Sequence, residues 1–112
     1  MTAFDRGLEL AQKLNAEGIA ATIDPRSATP PCVLGVPPAM RWDLGCGYTA
    51  EWQWFALVPG PANADAFRAL VDLAEQIAAV LPNVTRADFV SYALSVDSPA
   101  LPAYRITFEE GI

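Results

Sequence analysis

Proline sets the segmentation of this chain. Ten prolines fall among 112 residues, and each fixes φ and removes a backbone donor, which bars it from helix interiors and from most central-strand positions. Pro30-Pro31 and Pro37-Pro38 bracket Cys32-Val33-Leu34-Gly35-Val36, which reads as a short buried strand. Pro59-Gly60-Pro61 closes one apolar run, and Pro82-Asn83 closes the strongest helical pattern. What lies between these breaks must supply the regular elements.

Phe4, Leu8, Ala11 and Leu14 recur at helical spacing, with Gly18 as the stop, and predict an amphipathic opening helix. Ile19 to Ile23 reads as a strand that Asp24-Pro25 ends. Met40 to Leu44 and Tyr48 to Val58 flank Gly45-Cys46-Gly47 and predict a long hairpin with a residue at positive φ in its loop. On its second strand Trp52, Trp54, Ala56 and Val58 share one face; Glu51, Gln53, Phe55 and Leu57 share the other, which turns from polar to apolar partway along. Such a strand is either covered on both sides at one end or offers an apolar patch to a partner.

Asn63 stands at an N-cap position with Asp65 in the first turn, and Phe67, Leu70, Val71, Ala74, Ile77, Ala78 and Leu81 form the stripe of a second helix. Alternation then predicts strands over Asp88 to Val96 and Tyr104 to Glu109, linked by Asp97 to Pro102. The order α-β-β-β-β-α-β-β, in one domain spanning residues 1–112, specifies an α+β fold with two amphipathic helices packed on a largely antiparallel or mixed sheet. A sphere of about 13 Å radius of gyration is expected at this length.

Composition narrows the chemistry. There is no histidine, which removes imidazole acid/base catalysis, Ser-His-Asp and Cys-His devices and His-ligated zinc. Seven basic residues against 13 acidic ones leave a net charge of −6, the wrong sign for recruiting nucleic acid by phosphate neutralisation. Met1 to Arg6 lacks the basic start and apolar run of a signal peptide, and the apolar stretches are too short to cross a bilayer. A soluble chain without membrane association is expected, with Cys32 and Cys46 reduced.

Gly45-Cys46-Gly47-Tyr48-Thr49-Ala50 matches a dinucleotide fingerprint in letters, but strand alternation rather than a helix follows it, so it reads as a hairpin turn. Cys46 reads as a turn residue and Cys32 as core. Trp52 and Trp54 read as a core pair, and Glu109-Glu110 as solvated charge. No catalytic, cofactor or metal constellation is found, and no enzyme is expected.

Several segments together carry a resemblance: Asp24-Pro25-Arg26, Pro30-Pro31-Cys32-Val33-Leu34, Pro37-Pro38, Val58-Pro59-Gly60-Pro61 leading through Asn63 and Asp65 into a helix, and Leu101-Pro102-Ala103-Tyr104. Over nearly its whole length the chain resembles the tail terminator proteins of long-tailed phages that infect actinobacteria. The resemblance implies a virion structural protein, a homo-oligomeric ring usually of six subunits at the head-proximal end of the tail tube. Such a ring stops polymerisation of the major tail tube protein and joins the tail to the head connector or stopper, while genomic DNA passes through without specific binding. A stopper or head-completion protein of the same neck is the nearest alternative, and a ferredoxin-like regulatory module a more distant one that would open β-α-β. Under the ring reading the candidate interface residues are Pro30, Pro31, Phe55, Leu57, Pro59, Gly60 and Pro61, and the candidate lumen residues are Asp24, Asp43, Glu51 and Asp97.

Overall fold

A computed structural model describes residues 2–42 and 47–112. Helix α1 (Ala3–Ala16) is opened by Thr2, whose hydroxyl accepts from the Asp5 N–H at 3.1 Å while the Asp5 carboxylate accepts from the Thr2 N–H. This reciprocal box satisfies two of the donors that a helix start leaves bare. Strands β1 (Ala21–Thr22), β2 (Cys32–Leu34), β3 (Ala39–Arg41) and β4 (Thr49–Leu57) follow, with a short 3-10 turn at Pro25–Ser27. Helix α2 (Ala64–Val80) is capped by Asn63, whose Oδ1 accepts from the Ala66 N–H at 3.0 Å. Strands β5 (Val84–Tyr92) and β6 (Leu101–Gly111) complete the chain.

The predicted order of elements is the observed one. The sheet runs β1-β2-β4-β6-β5, with β3 paired to the start of β4. Only β1 and β2 are parallel, so the sheet is mixed. Both helices lie on the face that carries Trp52, Trp54 and Ala56 from β4 and Ile106 and Phe108 from β6. Leu10, Ala11 and Leu14 from α1 and Ile77 from α2 close this core, in which the Trp52 and Phe108 rings stack 6.0 Å apart.

Trp54 reaches its place because residue 35 has no side chain. A Cβ at Gly35 would lie 2.7 Å from two indole carbons, well inside van der Waals contact. Gly47 answers the predicted positive-φ loop residue at φ 79, and a Cβ there would meet the Ile112 carbonyl oxygen at 2.7 Å. Asp43, Leu44, Gly45 and Cys46, and with them the rest of that loop and the Cys46 assignment, lie outside the described residues.

Several boundaries move. The buried face of α1 is Ala3, Gly7, Leu10, Ala11 and Leu14, whereas Phe4 and Leu8 point outward. Gly7 lies under the Trp52 ring on this buried face, where even a Cβ would meet the ring at an ordinary 3.6 Å. In α2, likewise, Ala66 is buried and Phe67 is 66% exposed. Strand β5 begins at Val84 and ends at Tyr92, each four residues earlier than the alternation indicates; at its start a register shift between Val84 and Arg86 breaks the period of two. Strand β6 starts at Leu101, so residues 93–100 form the connection. The molecule is longer than a sphere, 47 × 30 × 23 Å with a radius of gyration of 14.1 Å. An 11-residue strand such as β6 spans roughly 37 Å, so the strands run along the long dimension.

Candidate functional site

The second face of the sheet resolves the alternatives left by β4. At one end Cys32, Leu34, Leu57 and Ala103 form a separate buried cluster, walled by Ala28 from the loop before β2 and by Leu94 from the 93–100 connection. Phe55 is half-buried there, its ring 4.5 Å from that of Tyr92. At the other end the face stays polar, with Glu51 opposite Glu109 and Gln53 opposite Thr107. The strand is covered on both sides at its apolar end. Leu57, a candidate interface residue, is fully buried inside the subunit and has no surface for a partner.

The remaining interface candidates come together. Register pairs Cys32 with Leu57, so the loops before β2 and after β4 leave the sheet side by side. The Val58 N–H donates to the Pro102 carbonyl at 3.3 Å, which adds the start of β6 to the same end. Pro31, Pro59, Gly60 and Pro61 are exposed and Pro30 half-exposed. This end is rigid for a loop region, because five of its backbone φ angles belong to prolines (Pro30, Pro31, Pro59, Pro61, Pro102).

The lumen candidates are not gathered. Asp24 caps the 3-10 turn, accepting from the Arg26 N–H at 3.0 Å and pairing with its guanidinium at 3.3 Å, and the Arg26 hydrogen bonds hold this carboxyl below its usual range. Glu51 lies at the polar end of the open face, while Asp97 is exposed in the connection beyond the opposite end. The register between them spans eight residues of β6, roughly 27 Å. Asp43 lies outside the described residues.

Two charged groups differ from the sequence expectation or were missed by it. Glu110 is not solvated charge: it takes both arms of the Arg6 guanidinium, Nε at 2.7 Å and Nη2 at 3.0 Å, and ties α1 to the end of β6. Asp88 on β5 accepts from Arg86 at 2.8 Å and faces Arg105 at 3.6 Å; the Arg86 hydrogen bond holds it below the usual carboxylate range. Cys32 is buried, and burial pushes its thiol up, away from the reactive thiolate.

The helix face has two apolar flanks, whose helix residues Phe4, Leu8 and Phe67 the sequence reading placed on buried stripes. Along α2 and β5 a groove of about 790 Å³ is lined by Phe67, Leu70, Val71, Phe89 and Pro102, with Phe89 59% exposed. Along α1 and β3, Phe4 and Met40 are exposed around a smaller cleft of about 350 Å³; Leu8 and Trp42 are exposed too, the Trp42 ring lying 5.2 Å from that of Tyr48. The signal was present in the sequence as Ala3-Phe4 and Ala66-Phe67. In each pair helical periodicity allows either residue to face inward, and the smaller one does. Among the described residues no group of three or more metal-ligating side chains converges, and no helix is long and apolar enough to cross a membrane.

Comparison with protein-family models, with curated proteins and with solved structures finds no match for this chain.

Proposed function

We propose that this protein is a structural ring subunit that terminates a phage tail tube: it caps the tube's growing end, stops further addition, and presents its other side to the head connector. The observation that carries this reading is the convergence of the proline-rich segments. Segments around Pro30-Pro31, Pro59-Gly60-Pro61 and Pro102, far apart in sequence and each part of the resemblance, lie together at one end of the sheet. An exposed end fixed by prolines loses little conformational entropy on docking, which suits a cap that must sit on a preformed tube.

Tube length tests the reading. Tube subunits polymerised in the presence of rising amounts of this protein should give tubes that shorten with the ratio, with the protein at one end only. A length distribution unchanged across a wide range of ratios would defeat it.

A further inference from the structure

Strand β5 pairs with β6 alone among the described residues, so its outer backbone groups and its helix-side face are both open. Helix α2 rests on β4 and β6 through Ala66, Leu70 and Ile77, against Val58, Tyr104 and Trp54. Ala87, Phe89 and Ser91, which face the same side opposite Ile106, Tyr104 and Pro102, are therefore all exposed beside the 790 Å³ groove. The usual blocks to strand pairing are proline, lysine or a bulge on the edge. β5 holds no proline or lysine, and its register shift ends at Arg86. Its charges, Arg86 and Asp88, lie on the face away from the helices and are spent on each other and on Arg105. Residues 87–92 thus form a regular edge with nothing to repel a further strand.

We propose that β5 accepts an added strand from another protein: an extended segment of roughly six residues, matching 87–92, with apolar side chains at alternate positions. Three observations choose this occupant. The first is width. The uncovered strip is a single strand across, about 4.8 Å, and a helix of about 10 Å diameter would overhang it. An extended segment beside β5 finds main-chain partners along 87–92 and leans alternate side chains over Phe89 toward Phe67 and Val71. The second is charge. Arg68 and Asp72 are the ionisable residues that line the groove, and they cancel, so it favours an uncharged segment although the chain as a whole carries −6. The third concerns the chain's own copies. The equally regular edge a second copy can offer is its own 87–92, which brings Ala87, Phe89 and Ser91 to this face, two of them too short to reach the groove. The contact stands on β5 and the groove and is independent of tube termination.

Four blocked octapeptides test it, each alternating threonine with leucine, isoleucine, valine or phenylalanine, read by fluorescence anisotropy and by amide exchange. At least one should bind saturably and slow the exchange of outward amides within residues 87–92. Phe89→Ala should weaken that binding at least ~10-fold, the effect of losing a central anchor; if circular dichroism shows it misfolded, Phe67→Ala takes its place. A strand pairs through one edge, so of the peptide's two sets of alternate amides, methylating one should abolish binding and methylating the other should spare it. Methylated forms that both bind like the parent would reduce the contact to apolar burial and overturn the proposal. So would a peptide of the same composition with its threonines and apolar residues in separate blocks binding equally well, or failure of all four to bind up to about 1 mM. Protection of the 87–92 amides in the protein alone, rising with its concentration, would assign the edge to a second copy and overturn it as well.

Discussion

Replacing Gly35 with alanine adds a methyl carbon where the Trp54 indole already lies. The new atom would sit 2.7 Å from two ring carbons and 2.9 Å from a third, against an optimum near 3.5 to 4.0 Å. One of the two must move by close to 1 Å. The ring cannot do so cheaply, because Trp54 is fully buried with Trp52 and Phe108 packed at 6.1 and 6.2 Å between centroids. The backbone is held as well, since the Gly35 N–H donates to the Thr22 carbonyl at 2.8 Å. Overpacking of this kind costs about 1–3 kcal/mol, and rigidity on both sides argues for the upper end, about 3 kcal/mol. With a urea m-value of about 1–3 kcal/mol/M, the unfolding midpoint should fall by about 1 M or more. Gly111→Ala is the control: a Cβ there meets nothing within 4 Å, so its unfolding free energy should stay within about 0.5 kcal/mol of wild type. A Gly35→Ala midpoint as close to wild type as the control's would refute the argument that this glycine exists to admit the indole.

Glu110→Gln breaks the two-armed contact with Arg6 and should cost about 1 kcal/mol, read as a Tm lowered by about 4 °C or more; a double-mutant cycle with Arg6→Ala showing no coupling would discount the pair. Asn63→Ala should cost a similar ~1 kcal/mol through loss of the α2 cap, while Asn63→Asp should retain most of the stability in the same melts. Asp88 has a folded pKa below its unfolded one, so its ion pair stabilises fully above the ordinary Asp value of about 3.9 and the effect fades as pH falls through the lower folded value. NMR titration should therefore place the Asp88 midpoint below that value, and Arg86→Gln should raise it. Duplex DNA at low salt should form no stable complex in an anisotropy assay, as seven basic residues against 13 acidic ones imply; micromolar binding with a steep salt slope would reverse the passive-conduit reading.

Local chemistry was legible wherever one residue type has one use. Asn63 before an apolar stripe, Pro82 after it, and the alternation through Trp52 and Trp54 each name an element because the alternatives cost backbone hydrogen bonds. What escaped was decided by packing across the chain. Phe4 and Leu8 share Ala11 and Leu14 with the true buried stripe, and Gly7, which lies under Trp52 on the buried face, carries no hydrophobic signal to tell the two stripes apart. The start of β5 was hidden by its bulge, since alternation cannot reveal a strand that skips a residue. Of the candidate surface, the proline loops could be found by their composition. The apolar flanks could not, because a phenylalanine at helical spacing carries the same signal whether it fills a core or waits for a partner. Glu110 looked like terminal charge until the fold brought Arg6 from the other end of the chain.

The sheet's two borders are unequal, and this restrains how copies can join by strand pairing. One border is β5, nine residues long, which among the described residues pairs with β6 on one side only. The opposite border is broken into β1 and β3, two and three residues long, with Pro37-Pro38 in the interval. Strand addition needs a continuous row of donors and acceptors on both participants. Two copies joined β5 to β5 would therefore expose only the fragmented borders, and no third copy could extend the ladder. Strand pairing between folded copies is thus limited to β5 by the sheet's own topology.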